Sequence, residues 1–195
     1  SKIDSGGATE PVQNWTTSDA IGGTPAAANF SFSTGSPPST HLQFNATWRY
    51  DDSDTDWSDV WLSADFDPND PNGDANTSDA WSSGTGLFAS GVLSMPEPVE
   101  TTINFGPTTH YFRTEFEFKD TFENRYFWLN SVIDDGAVFY LNGQEVARIN
   151  LPDGPINHHT EANVSVSTAA FSGPIPIPIE NLVIGTNVLS VELHQ

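Results

Sequence analysis

The chain has 195 residues, with 26 Asp and Glu against 6 Lys and Arg, a formal net charge of −20 and no cysteine. Six scattered cations cannot neutralise a phosphate backbone or an anionic lipid surface, so nucleic acid and membrane headgroups are excluded as partners. The absence of cysteine excludes a disulfide framework, a thiol nucleophile and a zinc-thiolate site together.

No run approaches the ~18 apolar residues of a spanning helix, so no membrane insertion is expected. Hydrophobic residues make up 36% of the chain and tryptophans number six, more than a disordered acidic tail carries. The opening Ser1-Lys2-Ile3-Asp4 lacks the charged-then-apolar layout of a signal peptide, so the chain reads as a mature product or an excised fragment. Its acidity, with abundant Asn, Ser, Thr, Gly and Pro, fits a secreted bacterial protein in saline or calcium-containing water. A length of this order makes one domain, or one domain with an ordered arm.

Residues 1–40 are rich in Ser, Thr, Gly, Ala and Pro, with Trp15, Phe30 and Phe32 as apolar anchors, and read as a linker or an extended arm. A single domain is expected over 41–195. From Leu42 to Tyr50 every second residue is apolar, the period of a strand with one buried face. Residues 51–100 form a long Asp-, Asn-, Gly- and Pro-rich loop pinned by Trp57, Trp61, Phe66 and Trp81; so long a loop in a compact domain is functional or ordered by a metal. Strands resume at Tyr111–Phe118, where Phe112, Phe116 and Phe118 share one face and Arg113, Glu115 and Glu117 the other. Tyr126–Ile133 is aromatic on both faces, which predicts a mid-sheet strand. Ala137–Leu141, Asn142-Gly143 and Gln144–Ile149 predict a hairpin whose turn needs positive φ at both central residues.

Gly173–Ile179 alternates proline with isoleucine, which marks an edge or covering segment. In the last strand, Leu189, Val191 and Leu193 face the core, with Ser190, Glu192 and His194 opposite. No segment predicts a helix of three turns. Many short strands with turns between them indicate an all-β antiparallel sandwich.

The run Asp134–Arg148, with Tyr111-Phe112-Arg113 before it and Asn187–Gln195 after it, resembles the galactose-binding-like jelly-roll modules of secreted bacterial proteins. Those modules accompany glycoside hydrolases, polysaccharide lyases and metallophosphoesterases. Trp48-Arg49-Tyr50, Trp61–Asp67 and Trp81–Gly84 look like the first half of the same pattern, with Trp48, Trp61 and Trp81 at packing positions. The resemblance covers roughly residues 40–195 and implies a jelly-roll sandwich, non-catalytic, with a structural calcium and a carbohydrate site. The expanded segment Asp67–Asp79 and the N-terminal arm depart from that pattern.

Ten aspartates lie between Asp51 and Asp79, and no Lys or Arg occurs between Arg49 and Arg113. Asp52, Asp54 and Asp56 form one alternating cluster, and Asp65, Asp67 and Asp70 a second. Alternating acids on a tight loop offer the oxygens that Ca²⁺ takes, and Gly73 permits a sharp bend; a merely solvated acidic loop is the rival reading. The resemblance adds Glu192 as a last-strand calcium ligand, against which stands an ordinary exposed glutamate or one paired with Arg113.

Glycan binding needs flat aromatic faces and a few planar hydrogen-bonding groups. Tyr126, Trp128 and Asn130 share a strand face, with Arg113 and Glu115 on the corresponding face of the preceding strand, a candidate platform; the plainer reading covers those aromatics with the arm. Trp57, among aspartates, is expected to be an exposed loop aromatic.

His158-His159, on an extended chain, point opposite ways and read as loop contacts. Asp134-Asp135 is a carboxylate pair or a turn. No nucleophile elbow, zinc-protease or phosphate-loop motif occurs, so no enzyme activity is expected. The leading expectation is a calcium-stabilised polysaccharide-binding module of a larger secreted protein. The other is a structural or assembly module of a filament, adhesin or surface layer, self-associating through its arm.

Overall fold

A computed structural model describes residues 29–31, 40–75, 77–91, 95–122 and 125–195. Trp15, Phe32 and most of the expected arm lie outside the described residues. The strands are β1 (Asn29–Ser31), β2 (Thr47–Asp51), β3 (Ser82–Thr85), β4 (Phe88–Ala89), β5 (Thr101–Thr102), β6 (Thr109–Phe118), β7 (Phe127–Ile133), β8 (Gly136–Leu141), β9 (Gln144–Ile149), β10 (Ala170–Ile177) and β11 (Gly185–His194). Among the described residues the helical elements are short 3-10 turns.

Two sheets carry the fold. A six-stranded sheet runs β3-β2-β6-β11-β8-β9, and a three-stranded sheet runs β1-β7-β10. Every pairing within them is antiparallel; only the two-residue β4–β5 ladder is parallel. The sheets pack face to face as a β-sandwich. Phe112, Phe116, Phe118, Phe139, Leu189, Val191 and Leu193 from the larger sheet meet Phe127, Leu129, Ile133 and Ile177 from the smaller.

Strand assignment follows the period-2 pattern closely. β11 pairs with β6 along its whole length and with β8 along its second half, which makes it the spine of the larger sheet. Asn142 and Gly143 take φ values of 50° and 80°, the positive pair the hairpin requires. β7 lies between β1 and β10, as its two aromatic faces predict, and the proline-bearing β10 is an edge strand. One strand is shorter than expected: Leu42–Ala46 precedes β2 as irregular chain, with a turn in which the Ala46 N–H donates to the Gln43 carbonyl at 3.1 Å. Alternating burial is real there, but irregular backbone produces it.

β3 approaches the β4–β5 corner so closely that Gly84 has no room for a side chain. A Cβ there meets Thr101 Oγ1 at 2.6 Å and the Phe88 ring at 2.9 Å. Gly84→Ala is therefore expected to destabilise the fold by ~1–3 kcal/mol, the cost of overpacking. Urea unfolding checks this: the midpoint falls while the slope stays constant.

Candidate functional site

Part of the outer face of the six-stranded sheet is covered by the acidic loop, while Glu115 and Glu117 on the same face stay exposed. Odd-numbered residues of β6 and even-numbered residues of β11 point there, opposite the core set. Against them pack Trp61 and Trp81 with Tyr111, and Trp57, Phe66 and Tyr140 close the group into a second apolar cluster. The rings meet edge to face, with Trp61 and Tyr111 centroids 4.9 Å apart and Phe66 and Trp81 5.2 Å apart. Trp57, expected to be exposed, is 9% exposed, which corrects that reading. Its ring lies against Trp81 and Phe66, and its indole N–H donates to Asp51 Oδ2 at 2.7 Å. An aromatic flanked by aspartates can bury its ring while the aspartates stay wet.

Two arginines fasten the loop to the sheet. Arg113 donates from Nη1 to the Trp61 carbonyl at 2.6 Å and from Nη2 to the Ser63 carbonyl at 2.8 Å. Arg49 donates to the Trp81 carbonyl at 3.1 Å. Burial pulls the Arg113 pKa down, opposed by the nearby Glu115 carboxylate.

Between loop and sheet lies a buried polar layer. His158 stacks on Tyr111, at 5.9 Å and 12° between rings; its Nδ1 lies 3.0 Å from the Tyr111 hydroxyl and its Nε2 3.3 Å from Asp54 Oδ1. Thr109 Oγ1 donates to the His158 carbonyl at 2.6 Å and lies 2.9 Å from His194 Nδ1, which is also 2.7 Å from the Thr160 carbonyl. Burial first, and the Glu192 charge second, raise the pKa of Tyr111 and of Tyr140. Glu192 points to the outer face as expected but is buried by the covering loop. It accepts a hydrogen bond from Tyr140 and lies 3.6 Å from His194 Nε2, which replaces both the exposed glutamate and the Arg113 partner.

Asp56, Asp67 and Asp70 bond within their own turns, and Asp52 reaches a distant segment. Asp52 Oδ2 accepts from the Asn104 N–H at 2.7 Å and Asp56 Oδ1 from the Ser58 N–H at 2.8 Å. Asp67 Oδ1 accepts from the Asn69 N–H at 2.8 Å and side-chain amide at 2.7 Å, bonds that hold its carboxyl below the usual range. Asp70 Oδ1 accepts from the N–H groups of Asp74 and Ala75, each at 3.1 Å. The expected ligand set Asp52, Asp54, Asp56, Asp65, Asp67, Asp70 and Glu192 is not brought together. Among the described residues no three acidic or histidine side chains converge as metal ligands.

Where the loop turns away from the sheet it leaves a cleft of about 460 Å³, open to solvent. Its floor holds Arg49 and Arg113, direct partners across the β2–β6 pairing, with Thr47, Ser83 and Glu115; its wall is Asp65, Phe66, Asp67 and Asn69. The Phe66 ring lies 5.7 Å from the Arg113 guanidinium carbon. Of these, Arg49, Asn69 and Phe66 were not singled out as ligand residues. Arg49 stands on the outward side of an alternating strand, a signal present in the sequence.

The expected sheet-face platform is split. β6 and β7 are consecutive in the chain but belong to different sheets, so Arg113 and Glu115 lie on one outer face and Tyr126, Trp128 and Asn130 on the other. Tyr126 is 65% exposed, and Trp128 and Asn130 are half-buried. Beside them is a smaller hollow of about 230 Å³, where Pro176 faces Trp128 across the β7–β10 pairing.

No known protein family matches the chain, and no curated protein matches it. Among solved structures, a β-glucuronidase of glycoside hydrolase family 2 is 12% identical with a TM-score of 0.45, covering 90% of this chain and 15% of that one. An uncultured Clostridium sp. β-glucuronidase is 13% identical with a TM-score of 0.44, covering 90% and 23%. The Ruminococcus gnavus β-glucuronidase, solved with uronic isofagomine, is 14% identical with a TM-score of 0.41, covering 90% and 22%. The chain thus has a distant structural similarity to a part of these enzymes and spans less than a quarter of the length of each.

Asp134 and Asp135 stand apart from the cleft. Partial burial, then the adjacent Asp135 charge, push the Asp134 carboxyl up to about 6. A carboxyl raised in the folded state gives stability that is complete below its unfolded value, near 3.8, and that is lost as pH rises through about 6. Asp134→Asn is therefore expected to match the parent at pH 3.5 and to exceed its Tm at pH 7.5. The gain is roughly 1–2 °C, since solvent screening keeps it below ~1 kcal/mol. Thermal melts of both proteins across that range check the sign.

Proposed function

We propose that the chain is a non-catalytic carbohydrate-binding module of a larger secreted protein. The observation that supports this best is the cleft. Its planar guanidinium, amide and carboxylate groups are held beside an aromatic ring, the donor set that recognises sugar hydroxyls and sugar C–H faces. The groups are preset by bonds to the main chain, so little ordering is needed on binding. The carboxyl raised toward neutrality, Asp134, is not among the cleft residues, and Asp67 within it is lowered, which favours a binding role over acid–base chemistry. The acidic loop enters this reading as the wall of the cleft, and the surface charge fits saline extracellular water.

A second reading, an assembly module, is favoured by β1. Asn29–Ser31 adds to the β7 edge opposite β10 as a three-residue strand, a contact that a neighbouring copy can also supply. That reading expects self-association of the full chain and a monomer once residues 1–40 are removed, measured by light scattering on a size-exclusion column.

Binding to a glycan panel by calorimetry tests the first reading. A ligand is expected with wild type, and Arg49→Ala is expected to weaken it at least ~10-fold, the scale of one charge-assisted hydrogen bond. Silence across the panel refutes a binding role for the cleft.

A further inference from the structure

The cleft keeps opposite charges close together without letting them pair. Arg49 and Arg113 have no carboxylate within ion-pair distance among the described residues, in a chain with 26 acids. Yet Arg49 and Asp67 line the same cleft, as do Arg113 and Glu115, which stand two positions apart on one face of β6. Three of these groups have partners of their own. The guanidiniums are held by the carbonyls of Trp81, Trp61 and Ser63, and Asp67 is held by Asn69.

A group that fills such a gap must accept from a guanidinium and donate to a carboxylate at once. A hydroxyl does both and carries no charge. A carboxylate ligand meets Asp65, Asp67 and Glu115 and a net charge of −20. An ammonium ligand meets two adjacent guanidiniums. Each charged class gains one set of partners and is repelled by the other.

Resting on the carbohydrate-binding reading, we infer that the cleft selects an uncharged pyranoside, its hydroxyls bridging Arg49 to Asp67 and Arg113 to Glu115, against uronic acids and amino sugars. Phe66 supplies the apolar face for the ring C–H groups, and the carboxylates act as the filter against acidic glycans.

The 195-residue chain is titrated with matched oligosaccharides of uncharged hexoses and pentoses, of uronic acids and of amino sugars, at low and high salt. Uncharged sugars are expected to bind, with little salt dependence, at least ~10-fold more tightly than either charged series. Asp67→Asn and Glu115→Gln, both at exposed positions, are expected to weaken uncharged-sugar binding ~10-fold and to narrow the margin against uronic acids. A charged series that binds tightest at high salt overturns the selectivity while leaving the binding function intact. So does unchanged uncharged-sugar binding in both variants, whereas silence in all three series overturns the binding function itself.

Discussion

The buried guanidinium of Arg113 is the joint between the sheet and everything laid over it. A cation that is 5% exposed is costly unless its hydrogen-bonding capacity is met. Here two main-chain carbonyls of the loop, at Trp61 and Ser63, take two of its five donors. Bonds of that kind contribute ~1.5–3 kcal/mol each. Burial of the aromatic cluster contributes more, since each large ring removes ~150–250 Å² from water at ~25 cal/mol per Å². The rings therefore supply the drive to cover the sheet, and the guanidinium fixes where the cover sits. Carbonyl partners suit this task better than carboxylates do, because they can be drawn from a tract whose side chains would otherwise compete for the cation.

The same joint gives the lopsided charge a structural meaning. Ten aspartates in one loop repel each other, and the loop holds its shape by turning several of them onto its own N–H groups. Those local bonds anchor the carboxylates without removing them from water. The wall of the cleft inherits this arrangement, so acids stand opposite arginines that are themselves committed to carbonyls. The arginines spend donors on carbonyls and Asp67 accepts from Asn69, which leaves them outside ion pairs.

Much of the architecture was legible because β-strands announce themselves by period. The faces of β6 and β11, the Asn142-Gly143 turn and the proline edge follow from alternation and turn chemistry. Period 2 states which side a residue takes, but not which sheet its strand joins, and the β6–β7 platform failed on that point. Nor does it reveal what covers an outward face. Ser190, Glu192 and His194 stand opposite the core set and are nonetheless buried, Glu192 against Tyr140 and His194 against the Thr160 carbonyl, contacts that alternation does not encode. Trp57 misled for the same reason. Arg113 was visible as a candidate, but its partners are backbone atoms, which no side-chain pattern encodes.

A buried polar layer also ties the loop to the sheet. His158 joins Asp54 of the loop to Tyr111 of β6, and Thr109 joins His158 to His194 of β11. Lifting the loop breaks the contacts that His158 makes with Asp54 and Tyr111, so partial opening of the loop is disfavoured. The loop is also tied to the sheet near the wall, where Arg113 holds the Trp61 and Ser63 carbonyls just before Asp65. The selectivity proposed for the cleft depends on the guanidiniums and carboxylates staying apart, since charges that close on each other leave no partner for a hydroxyl. The apolar cluster that stabilises the cover and the spacing of charges in the cleft are thus consequences of one packing arrangement.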